Sequence, residues 1–224
     1  MGKAEIKTGD RVYIGEQCAL GCIKELRIRN RRGDDSVESV SSVEEEPTPV
    51  VIEDDCIVMN HVTIFEGSHI GSETFIQDYC RIGYDVDIGE SVRVQYGAYI
   101  CDRISVGADS IISGFVCDGT QIGEEATVMG VLVHEYAEPH RGWWESDEQP
   151  PKIKDNAVIG YNATIVGGVT IGNHSYIAAN ATVTEDVPPE HVVTGVNSHT
   201  HLSEWEGNEL SDIIGEWTGS SQDQ

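Results

Sequence analysis

The sequence predicts an all-β solenoid, a run of short strands and turns wound into one elongated domain, and three observations predict it. An aliphatic residue recurs at every sixth position, through Ile52, Val58, Ile64, Ile70, Ile76, Ile82, Ile88, Val94, Ile100, Val106 and Ile112. A small or β-branched residue stands four places after most of these beats, as at Cys56, Val62, Ser68, Thr74, Cys80, Val86, Val92, Ala98 and Ser110. Glycine often follows the beat directly, as at Gly71, Gly83, Gly89 and Gly107. A period of six is neither the 3.6 of a helix nor the 2 of a long strand. It fits one short strand and one turn per hexad, with both the aliphatic and the small residue pointing inward. The glycines are expected to serve the turns, where positive φ is cheap for them.

In chain order, a weaker start lies at Thr8, Ile14, Leu20 and Leu26. The polar stretch RIRNRRGDDSVESVSSVEEEPTP then interrupts the beat over 27–49 and reads as a surface loop. After Ile112 the phase slips by two residues and resumes at Val116, Ile122 and Val128. A second interruption carries two histidines, two adjacent tryptophans and three prolines in VLVHEYAEPHRGWWESDEQPPKI, Val131 to Ile153. The beat restarts at Ile153 and continues through Ile159, Ile165, Ile171, Ile177 and Val183. Past it, Leu210, Ile213, Ile214 and Trp217 fall at helical spacing and predict one short C-terminal α-helix. The expected organisation is a solenoid over 1–201, with excursions at 27–49 and 134–152 and a helical tail over 202–224.

Composition narrows the function. The 224 residues include 39 Asp and Glu against 14 Lys and Arg, a formal charge of −25. Such a field repels nucleic acid and anionic membranes. The acids run from end to end and accompany 39% apolar residues, so disorder is not their explanation. Concentrated salt, where screening shrinks to a few ångströms, is the expected setting. No long apolar run and no signal-peptide pattern is visible, which makes the cytoplasm the expected compartment. The six cysteines lack a paired zinc-ribbon spacing and read as free thiols, and no metal is expected.

The hexads resemble those of the hexapeptide-repeat acyltransferases, [LIV]-G-x-x-[STAV]-x. The resemblance implies a left-handed parallel β-helix of triangular section with three hexads per coil, assembled as a homotrimer with active sites between subunits. From His134 onward, through IKDNAVIGYNATIVGGVTIGNHSYIAANATVTEDVPP, the sequence is similar to the sugar O-acetyltransferases of that family. By that resemblance His134 is the general base and Glu135 orients its ring, with His140 the alternate base. Acetyl-CoA is then the co-substrate, and Gly160, Tyr161, Ala179 and Thr184 border its pantetheine arm. Glu185 and GVNSHTH stand where the family usually has cations for the phosphates of coenzyme A.

Three hexads per coil would stack residues 18 apart. Asn60, Asp78 and Tyr96 then form one column, and His61, Tyr79 and Gly97 the next, beside Gln77 and Gln95. This polar strip is similar in place to the acceptor strip of nucleotide-sugar N-acyltransferases, and CIVMNHVTIFEGSHIG resembles their early hexads. It makes Asn60, His61, Asp78 and Tyr79 candidate substrate-binding residues. Trp143 and Trp144 either stack on a sugar or base or pin the loop to a neighbouring subunit. The expected function is acetyl transfer to a hydroxyl or amine of a sugar or nucleotide-sugar. The alternatives are a non-catalytic scaffold, which the missing cations favour, and a metal hydratase like the γ-class carbonic anhydrases, which needs three histidines with an H-x4-H pair absent here.

Overall fold

The computed structural model describes residues 3–24, 46–135 and 148–195. They form a left-handed parallel β-helix with three faces. Among the described residues the first face has eight strands, from Ile6–Thr8 to Thr170–Ile171. The second has nine, from Tyr13–Ile14 to Val192–Val193, and the third eight, from Ala19–Cys22 to Thr182–Val183. Every pairing is parallel and joins one coil to the next, as Ile88 lies between Ile70 and Val106. Every beat from Ile52 to Ile177 is buried in the lumen with its neighbours above and below. Each such side chain contributes about 1.5–3 kcal/mol. In the first coil Leu20 is buried while Thr8 and Ile14 are exposed, and Leu26 lies outside the described residues.

The small inward position tolerates hydroxyls because each finds a backbone acceptor. Ser68 Oγ donates to the Gly83 carbonyl at 2.6 Å, Thr74 Oγ1 to Gly89 at 3.0 Å and Ser110 Oγ to Gly123 at 2.9 Å. All six cysteines are free thiols. Burial pushes Cys80 and Cys117 up to about 11 and Cys101 up to about 12.

The glycines after the beat do different work from that expected. Gly71, Gly83, Gly89 and Gly107 are not among the residues with positive φ. A Cβ on Gly71 would stand 2.5 Å from the Gly89 carbonyl carbon, and one on Gly107 2.5 Å from that of Gly123. Stacked coils approach too closely there for any side chain. Positive φ falls two residues later and is borne mostly by other residues, including Asp55, His61, Glu73, Tyr79 and Arg103. Their N–H groups bond down the stack, as Tyr79 N–H does to the Asn60 carbonyl at 3.1 Å. That ladder holds non-glycine residues in a conformation they rarely adopt alone.

The corners differ from one another. The corner between the first and second faces is acidic, with Asp54, Glu73, Glu90, Asp109, Glu124 and Asp155 in successive coils. The corner between the second and third is shortened by two residues in two successive coils. Val116 follows Ile112 by four positions, and Leu132 follows Val128 by four. The first shortening is the slip in the sequence; the second was hidden at the edge of the irregular stretch. A third shortening, Val183 to Val187, lies at the corner between the third and first faces, where Val187 bridges Ile171. Both excursions leave from this last corner, after Ala19–Cys22 and after Val131–Val133. The helix expected over 210–217 lies outside the described residues.

Candidate functional site

The corner between the third and first faces carries one set of predicted residues. The register Val116 with Leu132 places His134 one coil above Asp118, and Ile100 with Val116 places Asp118 above Asp102. The Asp102 N–H donates to Asp118 Oδ1 at 2.8 Å, and the Tyr84 N–H to Asp102 Oδ1 at 3.1 Å. Burial raises the Asp102 carboxyl above its ordinary range, although the Tyr84 N–H opposes this. His134 ends this column and is only 7% exposed. It is a buried corner residue, although the sequence predicts it as the first residue of the 134–152 excursion. Glu135 is exposed, with its Oε2 3.7 Å from where a Gly167 Cβ would be. His140, Trp143 and Trp144 lie outside the described residues.

Lower on the same corner, Glu66 is fully buried. Its Oε1 accepts the Lys24 N–H at 2.7 Å and its Oε2 the Thr48 N–H at 3.1 Å. One carboxylate therefore ties both ends of the first excursion to the coil. Lys24 Nζ also pairs with Asp85 at 2.6 Å.

The corner between the second and third faces carries the other set. The predicted column is real: Asn60 Nδ2 donates to Asp78 Oδ1 at 3.0 Å, and the Asn60 N–H donates to the same oxygen at 3.1 Å. The His61 and Tyr79 rings stack at 4.7 Å with an interplanar angle of 7°. Tyr96 meets Tyr79 edge to face at 5.6 Å and is 65% exposed. Higher on this corner, Gly160 and Tyr161 follow the strand Val158–Ile159, and Ala179 sits one coil above. A Cβ on Gly160 would stand 2.7 Å from Ala179 N, so the two coils stack too closely there for a side chain; Gly160 is buried and Ala179 exposed. Thr184 does not join them. It follows Thr182–Val183 on the other corner, exposed beside Glu185. The structure thus brings together Gly160, Tyr161 and Ala179, and separately Asn60, His61, Asp78 and Tyr79.

Sequence reasoning did not assign a role to Glu66 or to the Asp102–Asp118 column. It also missed Arg81, whose guanidinium lies 4.6 Å from the Phe65 ring and 4.8 Å from the Tyr99 ring on the third face. Carrying the 18-residue stacking through the slip after Ile112 to the corner between the third and first faces finds the Asp102–Asp118 column.

Residues 150–185 match the family described as Bacterial transferase hexapeptide (six repeats). The bifunctional protein GlmU of Brevibacillus brevis is 26% identical over 178 residues, spanning 64% of this chain and 38% of that protein. GlmU of Nostoc sp. is 31% identical over 138 residues, spanning 61% of this chain and 28% of that protein. The chain therefore spans well under half the length of these relatives. The solved UDP-N-acetylglucosamine acyltransferase of Francisella novicida superposes with a TM-score of 0.55 at 23% identity, over 87% of this chain and 64% of that one. That likeness establishes the fold. The chain is built of hexapeptide repeats and has the fold of a left-handed β-helix.

Proposed function

We propose that the chain is an acyltransferase, moving an acetyl group from acetyl-CoA to a hydroxyl or amine of a sugar or nucleotide-sugar. The observation that carries this reading is His134, buried at the end of a strand where the second excursion leaves the coil. An imidazole there can take the proton from an acceptor O–H or N–H as the nucleophile attacks the thioester carbonyl. The tetrahedral oxyanion is stabilised by backbone N–H groups in the cleft, and its collapse expels the coenzyme A thiolate, which takes a proton from the imidazolium. Glu135 is assigned to orienting the ring. Gly160, Tyr161 and Ala179 are assigned to the pantetheine arm, with Tyr161 and Ala179 exposed to meet it. Asn60, His61, Asp78 and Tyr79, with Trp143 and Trp144, belong to the acceptor side. Thr184 stands apart and keeps only its assignment from the resemblance.

The cleft is assigned to a homotrimer. Tyr13, Ile57, Tyr176 and Val192 project exposed from the second face, apolar surface that assembly would cover. The acidic corner and the charge of −25 support work in concentrated salt, in the cytoplasm. Among the described residues no helix is long and apolar enough to cross a membrane. The hydratase reading has less support, because His61, His69 and His134 lie on a different corner or face each. A scaffold reading is favoured by one observation, exposed Glu185 where a phosphate-holding cation is expected.

The test is acyl transfer from acetyl-CoA to amino- and hydroxy-sugars in molar potassium chloride. His134→Asn should lower turnover about 10²–10⁴-fold while a melting curve confirms the fold. A loss below about threefold would remove His134 as base. No transfer and no thermal shift with coenzyme A would leave the scaffold.

A further inference from the structure

The two shortened turns fall on one corner, one directly above the other, and cut a notch into an otherwise continuous ridge. Below it the ridge is a ladder of rings, His61 on Tyr79 and Tyr79 against Tyr96. Above it the full-length turn returns with Tyr161, which is 73% exposed, and Asn162. The two short coils between them span about 10 Å along the axis. Their turns are Ser113–Gly114 and Met129–Gly130. Neither glycine can carry a side chain: a Cβ on Gly114 would stand 2.2 Å from the Gly130 carbonyl oxygen, and one on Gly130 2.3 Å from that of Ala163.

Two features of the floor point to a ligand. Tyr96 ends the ladder with its ring exposed, and Gly97 beside it has nothing within 4 Å of where its Cβ would be. The ladder of turn hydrogen bonds also stops here. Carbonyls of Glu16, Asn60 and Asp78 each accept an N–H from the next coil, from His61, Tyr79 and Gly97 in turn. The short turn above supplies no such donor, so among the described residues no backbone N–H reaches the Tyr96 carbonyl. It resumes when Asn162 N–H bonds the Met129 carbonyl at 3.1 Å. A largely exposed ring next to a carbonyl that accepts no backbone N–H among the described residues, with no charged side chain in either short turn, matches a planar uncharged heterocycle bearing an N–H.

We propose that this notch binds the base of a nucleotide-linked acceptor, stacked on Tyr96 and donating an N–H to the Tyr96 carbonyl. The inference rests on the nucleotide-sugar reading above and narrows it. The base, rather than the sugar, is what this corner recognises.

The test is saturation-transfer NMR and affinity titration with uridine, adenosine and N-acetylglucosamine, in molar potassium chloride. At least one nucleoside should bind, with its base protons saturated more strongly than its ribose protons. Tyr96→Ala should weaken that binding about tenfold, the worth of one base stacked on an aromatic ring. Glu90→Ala, at an exposed residue on the acidic corner between the first and second faces, should change nothing. Tyr96 is exposed enough that its loss leaves the coil intact, and a melting curve checks this. Binding of the sugar alone, no nucleoside binding, or nucleoside affinity unmoved by Tyr96→Ala would each overturn the proposal. Nucleoside binding without acyl transfer would leave it standing and remove the acyltransferase instead.

Discussion

Two corners of one triangular coil share a lumen, a rise and a hydrogen-bond pattern, yet their chemistry is opposite. The corner between the second and third faces, apart from the Asn60–Asp78 pair, carries rings and close-stacked glycines: His61, Tyr79, Tyr96 and Tyr161, with Gly114, Gly130 and Gly160 held against the next coil. The corner between the third and first faces is built from ionisable groups and exits: Glu66, Asp102, Asp118 and His134, with both excursions leaving beside them. The lumen cannot distinguish the two, because its aliphatic beats pass through both. A repeat fixes what faces inward and leaves each turn free, so surfaces for recognition and for proton transfer coexist without disturbing the core.

The sharpest way to break this division is to exchange the effects. Loss of His134 should act on turnover, about 10²–10⁴-fold, with little change in KM. Tyr96→Ala should raise KM for a nucleotide-linked acceptor about tenfold and leave kcat close to unchanged. Steady-state kinetics with both variants decides it, and a kcat loss at Tyr96 would erase the contrast.

Stability should divide along the same line. Gly114→Ala forces a Cβ into the Gly130 carbonyl at φ 95° and should cost about 1–3 kcal/mol or more. Gly97→Ala, with open space around it, should cost only about 1 kcal/mol, for its positive φ. On the opposite corner, Glu66→Ala strands the Lys24 and Thr48 N–H groups and should cost about 1–3 kcal/mol. Denaturant melts rank the three. Equal effects at Gly97 and Gly114 would mean that the short turn is not tightly seated.

A smaller effect comes from the first face. His69 Nδ1 lies 2.9 Å from Asp87 and its Nε2 3.0 Å from Glu53. Burial opposes protonation, but the two carboxylates together raise its pKa above the ordinary value. A raised folded-state pKa gives stability that is full below about pH 6.5 and fades as pH rises through the folded value. The melting difference between the native chain and His69→Asn should therefore be largest near about pH 6 and fade as pH rises through the raised folded-state pKa. Screening keeps it modest, and low salt should enlarge it while lowering the overall melting temperature as carboxylates repel.

What the sequence could and could not reveal follows from the same physics. The lumen was legible because burial demands an aliphatic residue at each beat, so Ile52 to Ile112 can be counted directly. The Asn60–Asp78 column was legible because it lies in coils of constant length. His134 was located, but its burial was not, since nothing in VLVHEYAEPH says where a strand's corner ends and its loop begins. The second short turn was missed because it abuts that irregular stretch, and with it the notch. Glycine was read as a conformational residue when most of those after the beat are steric ones, a difference that appears only when the coil above is in place.

The two excursions also set an order of assembly. Within the regular coils a strand finds its partner 18 residues away, but the first coil finds the second only at 44. Closing the longer loop costs about 0.8 kcal/mol more in chain entropy. Because each coil contacts only its neighbours, assembly propagates outward from whichever block closes most cheaply. That block is the uninterrupted run from Val50 to Val133. The coil over 3–24 docks onto it afterwards, fastened at its neck by Glu66, and its amides should be the first to exchange with solvent.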